Sequence, residues 1–153
     1  MYRYERPVRF QEIDAAGLLF FPTFLSYCHE AMESWCGALP GGYAGLVGER
    51  RIGLPAVQVE ASFRAPLRYG DVARIELEVT RVGARSLGLR YQLSRAAVRG
   101  AATAEATASE GGACAVIDQV VVCTDLSRMQ SLELPPELRA LAEQHLAAQR
   151  EPI

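Results

Sequence analysis

Apolar positions recur at helical spacing in one long segment of the chain. Between Thr23 and Trp35, apolar side chains return every three or four residues and polar ones fill the gaps. Pro22 stands before this segment, where its missing N–H costs nothing, and Gly37 follows it as a helix terminator. The pattern predicts one helix over residues 23–35.

Elsewhere the period changes to two, which is typical of strands with one buried face. In the clearest case Ile75, Leu77 and Val79 alternate with three charged residues. Gly70 and Gly83 mark turns on either side of this segment. The predicted strands are an opening segment 3–10, then 56–63, 72–82, 86–94 and a β-branched segment 113–124. We expect the strands that follow the helix to form an antiparallel meander.

Two further segments lack the pattern of a strand or a long helix, and a third, near the C-terminus, predicts a short helix. Residues 37–54 are rich in glycine and predict a loop with one helical turn near 43–47. Residues 96–112 are small and polar and predict a mobile hairpin loop, or extended strand ends that flank one. Pro136 and Glu137 suit the first turn of a closing helix that runs to about Gln149. The element order predicts an α+β fold in one domain, 1–153, with the sheet curled around the first helix.

Composition excludes several classes of function. The 153 residues carry a net charge of −2, so there is no broad basic surface to bind nucleic acid. All sixteen basic residues are arginine, which excludes Schiff-base and P-loop lysine chemistry. The four cysteines form no CxxC pair and are expected to be small buried side chains in a reducing cytoplasm. No signal peptide or membrane span is evident.

Asp14 is the strongest candidate for a catalytic side chain. It lies in an irregular segment between a strand and a helix, among apolar neighbours that predict a poorly solvated carboxylate. Taken by itself, an aspartate here is more often a turn or capping residue. Asp14 is too far from the helix start to be its simple cap. A carboxylate so placed can attack a thioester carbonyl or activate water for that attack.

A second group at the helix start suits the same reaction. The backbone N–H of Phe21, just before Pro22, has no acceptor within the helix. Such an N–H is a sensible donor to an oxyanion that develops in the transition state. Phe20 and Phe24 would line an acyl pocket, and aromatic walls favour an aryl or medium-length acyl group.

The segment VRFQEIDAAGLLFFPTFLSYCHEAMESW, residues 8–35, resembles the 4-hydroxybenzoyl-CoA thioesterase family of hotdog proteins. Asp14 matches the catalytic aspartate, Gly17 the motif glycine and Phe21 the residue whose N–H polarises the thioester. FRAPLRYGD (63–71) and residues 120–145 extend the resemblance. Glu12 fills a place where the family often has an acid. Some members have histidine in place of Phe21, and many have proline in place of Ala15.

The resemblance implies a hotdog fold, in which an antiparallel sheet of about five strands wraps a long helix and a second helix closes the chain. It implies hydrolysis of an acyl-CoA thioester without a further cofactor, in a homodimer whose sites lie at the interface and which pairs again into a tetramer. It also places coenzyme A contacts at Arg85 and Ser86, which a solvated turn would explain equally well.

Other chemistries fit the sequence less well. His29 and His145 have no cluster of further ligands, so no metal site is expected, and no serine lies in a G-x-S-x-G motif. Two alternatives stay open: a hotdog hydratase or dehydratase, which usually has a histidine near its acid, and an acyl-CoA binder without catalysis. Whether Asp14 acts as nucleophile or general base also stays open.

Overall fold

The computed structural model describes residues 1–96 and 112–148. Its helices are α1 (Thr23–Trp35), the single turn α2 (Gly42–Ala44) and α3 (Pro136–Ala148). A wider turn, Gly45–Glu49, continues α2. The bounds of α1 confirm the prediction from helical spacing, and α2 lies in the glycine-rich segment where one turn was expected.

The described residues contain eight strands, five of which account for the period-two segments. They are β1 (Tyr2–Pro7), β2 (Ile52–Gly53), β3 (Ala56–Phe63), β4 (Val72–Val82), β5 (Ser86–Arg95), β6 (Ala115–Val122), β7 (Thr124–Asp125) and β8 (Gln130–Ser131). The predicted strands are confirmed, although β1 is shorter than expected. It ends at Pro7, which has no N–H for further pairing, and Phe10–Glu12 forms a 3-10 turn instead.

Five strands form one antiparallel sheet in the order β1-β4-β5-β6-β3. The predicted meander is correct for β4, β5 and β6 but wrong for β3, which pairs with β6 at the far edge rather than with β4. Residues 64–71 make a connection too long for a tight hairpin and carry the chain across the sheet. Period-two alternation fixes which face a side chain occupies, but it does not fix which strand lies beside it.

Helix α1 packs against the inner face of this sheet and forms the core with it. Tyr27 and Trp35 of α1 are fully buried, as are the inward-facing residues of β4. Ile75, Leu77 and Val79 point inward while the charged residues between them are partly exposed, as the alternation predicted. The five-stranded antiparallel sheet, the central helix and the closing helix agree with the predicted α+β architecture.

Helix α3 closes the core beyond the end of α1. Leu138 and Ala142 are buried, and the His145 ring packs edge-on against Trp35 at 5.7 Å between ring centroids. His145 therefore lies on the face of α3 that contacts α1 and is only partly exposed. The short strands β2, β7 and β8 form a separate sheet before α3.

All four cysteines are free and buried, as expected. Burial raises the pKa of the Cys28 thiol, which keeps it protonated and unreactive. Residues 97–111, which make up nearly all of the predicted hairpin loop, lie outside the described residues. Among the helices described, none is both long and apolar enough to cross a membrane.

Gly88 of β5 lies beside an irregularity in β4, where the pairing register shifts between Val79 and Arg81. A Cβ atom at Gly88 would approach Thr80 Oγ1 to 2.7 Å and Arg81 Cβ to 3.2 Å. We expect Gly88→Ala to lower the free energy of unfolding by about 1–3 kcal/mol through overpacking. Thermal and urea unfolding measure this. Gly37→Ala is the control, because a Cβ there meets nothing within 4 Å; equal losses in both variants would contradict the account.

Candidate active site

A short hairpin carries the candidate residues from the sheet to the start of α1. Ile13 and Leu19 form an antiparallel bridge, and the Asp14 N–H donates to Leu18 O at 2.9 Å. The Gly17 N–H donates to Asp14 O at 3.0 Å, which closes a four-residue turn. Gly17 has φ +79°, a left-handed conformation that a β-carbon would strain, so a glycine is required for this turn. The hairpin therefore fixes the backbone of Asp14.

The Asp14 carboxylate has one oxygen engaged by this turn. Oδ1 accepts hydrogen bonds from the N–H groups of Ala16 at 2.9 Å and Leu18 at 3.2 Å. Within residues 1–96 and 112–148, Oδ2 has no hydrogen-bond partner. Asp14 is partly exposed and Ala15 and Ala16 are exposed, so the predicted poorly solvated carboxylate is not found in a single chain. Asp14 therefore makes the turn hydrogen bonds through Oδ1, while Oδ2 stays available for a ligand.

The backbone amides between the hairpin and α1 are nearly all paired. Leu19 N–H donates to Leu67 O and Phe20 N–H to Glu12 O, while Thr23 and Phe24 N–H donate to carbonyl oxygens three residues earlier. Pro22 has no N–H. Phe21 lies between these paired groups, and its N–H has no acceptor among the described residues. The positive end of the α1 dipole adds to its preference for an anionic oxygen.

Phenylalanine rings surround this free amide. Phe21 and Phe20 are 62% and 51% exposed and lie 5.6 Å apart between ring centroids. Phe63, at the end of β3, makes edge contacts with Phe21 at 6.1 Å and Phe24 at 5.3 Å. Phe24 is only 3% exposed, so it contacts Phe63 from the core and is not itself part of the exposed aromatic surface. The three exposed rings form an apolar, aromatic surface beside the start of α1.

Glu12 lies two residues before Asp14 and is almost fully paired. Its Oε1 accepts from Arg6 Nη2 at 2.7 Å, and its Oε2 accepts from Tyr27 Oη at 2.5 Å and from the Arg9 N–H at 2.9 Å. Burial raises the pKa of Glu12, but the hydrogen bonds from Tyr27 and Arg9 and the charge of Arg6 outweigh it, so the pKa is lowered overall. Glu12 is therefore ionised at neutral pH.

Arg85 and Ser86 are not near Asp14 within one chain. The hairpin lies at the start of β4, where Val8 N–H donates to Asp71 O, whereas Arg85 follows the end of β4. A strand of this length spans roughly 30 Å. Arg85 is exposed and donates from Nη1 to Ser131 Oγ at 3.0 Å, and Ser86 Oγ accepts from Arg81 at 3.4 Å. The structure thus separates the predicted coenzyme A contacts from the predicted catalytic residues.

A hollow on the outer face of the sheet is separate from this site. It is lined by residues of β3 to β6, among them Thr80, Arg81, Gly88 and Asp118. Thr80 and Arg81 are exposed, and Asp118 is paired with Arg90 at 2.8 Å. The hollow therefore has no part in the arrangement around Asp14.

The sequence reasoning missed Phe63, Tyr27 and Arg6. Phe63 opens the segment FRAPLRYGD, yet only the crossing of β3 to the far edge of the sheet, where its end meets α1, places it beside Phe21. Tyr27 belonged to the apolar face of α1, and its hydroxyl group was the available signal, since a buried hydroxyl needs a partner. Arg6 lies in β1 and gave no signal of its own.

Comparison with known proteins agrees with this architecture. The Thioesterase-like superfamily matches residues 8–141. A 1,4-dihydroxy-2-naphthoyl-CoA hydrolase from Synechococcus elongatus is 36% identical over 94 residues, 61% of this chain and 69% of that protein. The corresponding hydrolase from Nostoc punctiforme is 29% identical and covers 90% of this chain and 83% of its own length. A 1,4-dihydroxy-2-naphthoyl-CoA thioesterase from Synechocystis superposes with a TM-score of 0.76 at 26% identity, covering 92% of this chain and 94% of that one.

The chain belongs to the thioesterase-like superfamily. It is an acyl-CoA thioesterase with the hotdog fold, as the resemblance of residues 8–35 implied.

The pairing of Glu12 predicts a pH-dependent contribution to stability. Its pKa in the folded chain lies below the ordinary value of 4.5, so it stabilises the fold above about pH 4.5, and this contribution is lost as the pH falls through the folded pKa. We expect Glu12→Gln to unfold at a lower temperature than the wild type at pH 7, with the gap narrowing below about pH 4.5. Calorimetry from pH 7 to pH 3 measures the gap, and a constant gap would contradict the assignment.

Proposed function

We propose that the protein hydrolyses an aryl-CoA thioester with Asp14 and the Phe21 N–H as its reacting groups. One observation carries this proposal: a carboxylate oxygen in the hairpin and a backbone N–H between the hairpin and α1 both have no hydrogen-bond partner among the described residues. The N–H groups of Ala16, Leu18 and Phe20 nearby are paired, so these two groups are left to interact with a ligand. A thioester needs such a pair, an anionic base or nucleophile and a donor to the carbonyl oxygen.

Two routes are consistent with this geometry. As a general base, Asp14 Oδ2 takes a proton from water while the water oxygen attacks the thioester carbon, and the coenzyme A thiolate then leaves. As a nucleophile, Oδ2 attacks the same carbon, expels the thiolate and forms a mixed anhydride that water hydrolyses. In both routes the Phe21 N–H donates to the oxyanion of the tetrahedral intermediate. Gly17 serves either route by allowing the turn that presents Oδ2.

The rings of Phe20, Phe21 and Phe63 favour a flat aromatic acyl group. Their exposed surface lies beside the free amide, where the acyl portion of a bound thioester would rest. Relatives named as 1,4-dihydroxy-2-naphthoyl-CoA hydrolases support the same class of substrate. We infer that 1,4-dihydroxy-2-naphthoyl-CoA, or an aryl-CoA of similar size, is the substrate.

A second copy of the chain would complete the site. All eight residues of β3 are exposed, and its free edge has the apolar side chains of Val57, Val59 and Phe63. The opposite edge strand, β1, is interrupted by arginine and glutamate side chains and ends in Pro7, which protects it from pairing. An unpaired apolar edge of this kind favours pairing of β3 with β3 of a second copy about a two-fold axis.

This pairing reconciles the positions of Arg85 and Asp14. A two-fold axis at β3 reverses the direction of the second sheet, so the β4–β5 turn of one copy lies at the same end as the hairpin of the other. Arg85 and Ser86 of the second copy would then reach the nucleotide part of a coenzyme A whose thioester lies at Asp14. The dimer therefore explains how residues from opposite ends of the sheet serve one substrate.

Asp14→Asn tests the catalytic assignment. The amide oxygen of asparagine retains the turn hydrogen bonds, but the side chain neither accepts a proton nor attacks a carbonyl, so we expect kcat to fall by about 10²–10⁴-fold. Thiol release is measured on a panel of 1,4-dihydroxy-2-naphthoyl-CoA, benzoyl-CoA and octanoyl-CoA, with the naphthoyl substrate expected to give the highest kcat/KM.

Asp125→Asn is the matched control for that variant, because Asp125 Oδ1 accepts two N–H groups in the same manner, from Ser127 at 2.8 Å and Arg128 at 3.2 Å. It should retain the wild-type kcat. If Asp14→Asn kept wild-type turnover, the assignment of Asp14 would be wrong. A preference for octanoyl-CoA would contradict the aromatic pocket while leaving Asp14 in place.

Val59→Lys tests the dimer. A lysine on the inner face of β3 would place a charge in the apolar contact, so we expect monomers in sedimentation velocity and a large loss of kcat/KM. Gln58→Lys places the same charge on the outer face of the same strand and should remain dimeric and active. A wild-type enzyme that is monomeric and fully active would contradict the proposal. The expected dimer of dimers stays a prediction that the same measurement tests.

A further inference from the structure

Glu12 has no part in the proposed chemistry, yet its side chain is mostly buried. The side chain is 16% exposed, and that of its partner Arg6 is 10% exposed. Taking a charged pair out of water is costly and is tolerated only where the geometry is good and the remaining hydrogen bonds are made. Because this costly pair lies two residues from Asp14, we looked for a role of Glu12 at the same site.

The partners of Glu12 come from three separate parts of the chain. Arg6 belongs to β1, Tyr27 to α1 and the Arg9 N–H to the segment that leads into the hairpin. Each of the two carboxylate oxygens is therefore fixed by at least one donor. Since donors from a strand and a helix converge on one side chain, the carboxylate cannot move without breaking a contact to one of these elements.

Arg6 is itself held in place. Its Nη1 donates to Glu30 Oε1 of α1 at 2.6 Å, and its guanidinium lies over the Tyr27 ring, 4.2 Å from the ring centroid. Tyr4 Oη also donates to Glu30, at 3.1 Å. The result is a connected set of side chains, Tyr4, Arg6, Glu12, Tyr27 and Glu30, which we call the Glu12 clamp. It joins β1 to α1 underneath the hairpin.

The backbone of Glu12 connects the clamp to both reacting groups. Its carbonyl oxygen accepts the Phe20 N–H at 3.0 Å, and Phe20 immediately precedes the free amide of Phe21. Along the other direction of the chain, Asp14 is two residues away on the same arm of the hairpin. A displacement of Glu12 would therefore move the carboxylate and the amide relative to α1 together.

We propose that Glu12 is a positioning residue, which acts through Arg6 and Tyr27 to hold the Asp14 carboxylate and the Phe21 amide in the geometry that hydrolysis requires. This inference rests on the proposed function, because it assigns Glu12 to the same reaction. Glu12 need not touch the substrate. Misplacing reacting groups by about 1 Å lowers the rate by about 10²-fold, so small movements of the hairpin would lower kcat.

The test compares kcat and KM in three variants at a temperature well below each unfolding midpoint. Glu12→Gln removes the charge that pairs with Arg6, and we expect kcat to fall by about 10- to 100-fold with KM within about twofold of the wild type. Tyr27→Phe removes one hydrogen bond and leaves the ion pair, so its kcat should fall in the same direction but by less, about two- to tenfold. If Glu12→Gln does not fold, Tyr27→Phe decides the question by the same criterion.

Asp71→Asn is the matched control. The Asp71 carboxylate also accepts an N–H three residues earlier, from Arg68 at 2.8 Å, and pairs with Arg95 at 3.0 Å, with a side-chain exposure of 19%. It lies outside the hairpin, so its kcat should stay near that of the wild type. Equal losses of kcat in Asp71→Asn and Glu12→Gln would identify a general effect on folding and would overturn the proposal, as would a wild-type kcat in Glu12→Gln.

Failure of this inference is distinct from failure of the proposed function. If Asp14→Asn is inactive while folded Glu12→Gln and Tyr27→Phe have wild-type kcat, the reaction stands and the positioning role of Glu12 is wrong. If Asp14→Asn retains turnover, the proposed site is wrong, whatever Glu12 does. A rise in KM with an unchanged kcat in the clamp variants would indicate a role in substrate binding and would also overturn the positioning role.

Discussion

The pairing of the Glu12 carboxylate with Arg6 and Tyr27 is the contact on which the arrangement of this site depends. An ionised carboxylate that is mostly removed from water is stable only where charged and hydroxyl donors converge on it. Here the donors come from β1 and α1, which lie far apart in sequence. The segment from Asp14 to Phe21 is therefore held next to the two elements that frame the core.

Much of the fold was predictable from residue periodicity. Helix α1 and strands β4 and β5 lie where the spacing of apolar residues placed them, because each has one buried face and one solvated face. The order of strands was not predictable in the same way. The crossing of β3 to β6 depends on the path of residues 64–71, and an alternating pattern has no information about which neighbour a strand will choose.

The candidate site was predictable where local backbone chemistry determines it. The start of a helix leaves the preceding amide without a helical acceptor, so the free N–H of Phe21 follows from sequence, whereas the left-handed turn at Gly17 is known only from the structure. Phe63 and Arg6 could not be found by this reasoning, because tertiary contacts alone bring them to the hairpin. Arg85 is the reverse case, because the family resemblance predicts a contact with coenzyme A there, yet Arg85 is remote from Asp14 within a single chain.

The most direct measurement of the central claim is a crystal structure with a non-hydrolysable aryl-CoA in which a methylene group replaces the thioester sulfur. We expect its carbonyl oxygen to accept the Phe21 N–H at about 3 Å, with Asp14 Oδ2 or a water bound to it facing the carbonyl carbon. A carbonyl group bound away from the start of α1, with Asp14 making only its turn hydrogen bonds, would contradict the account.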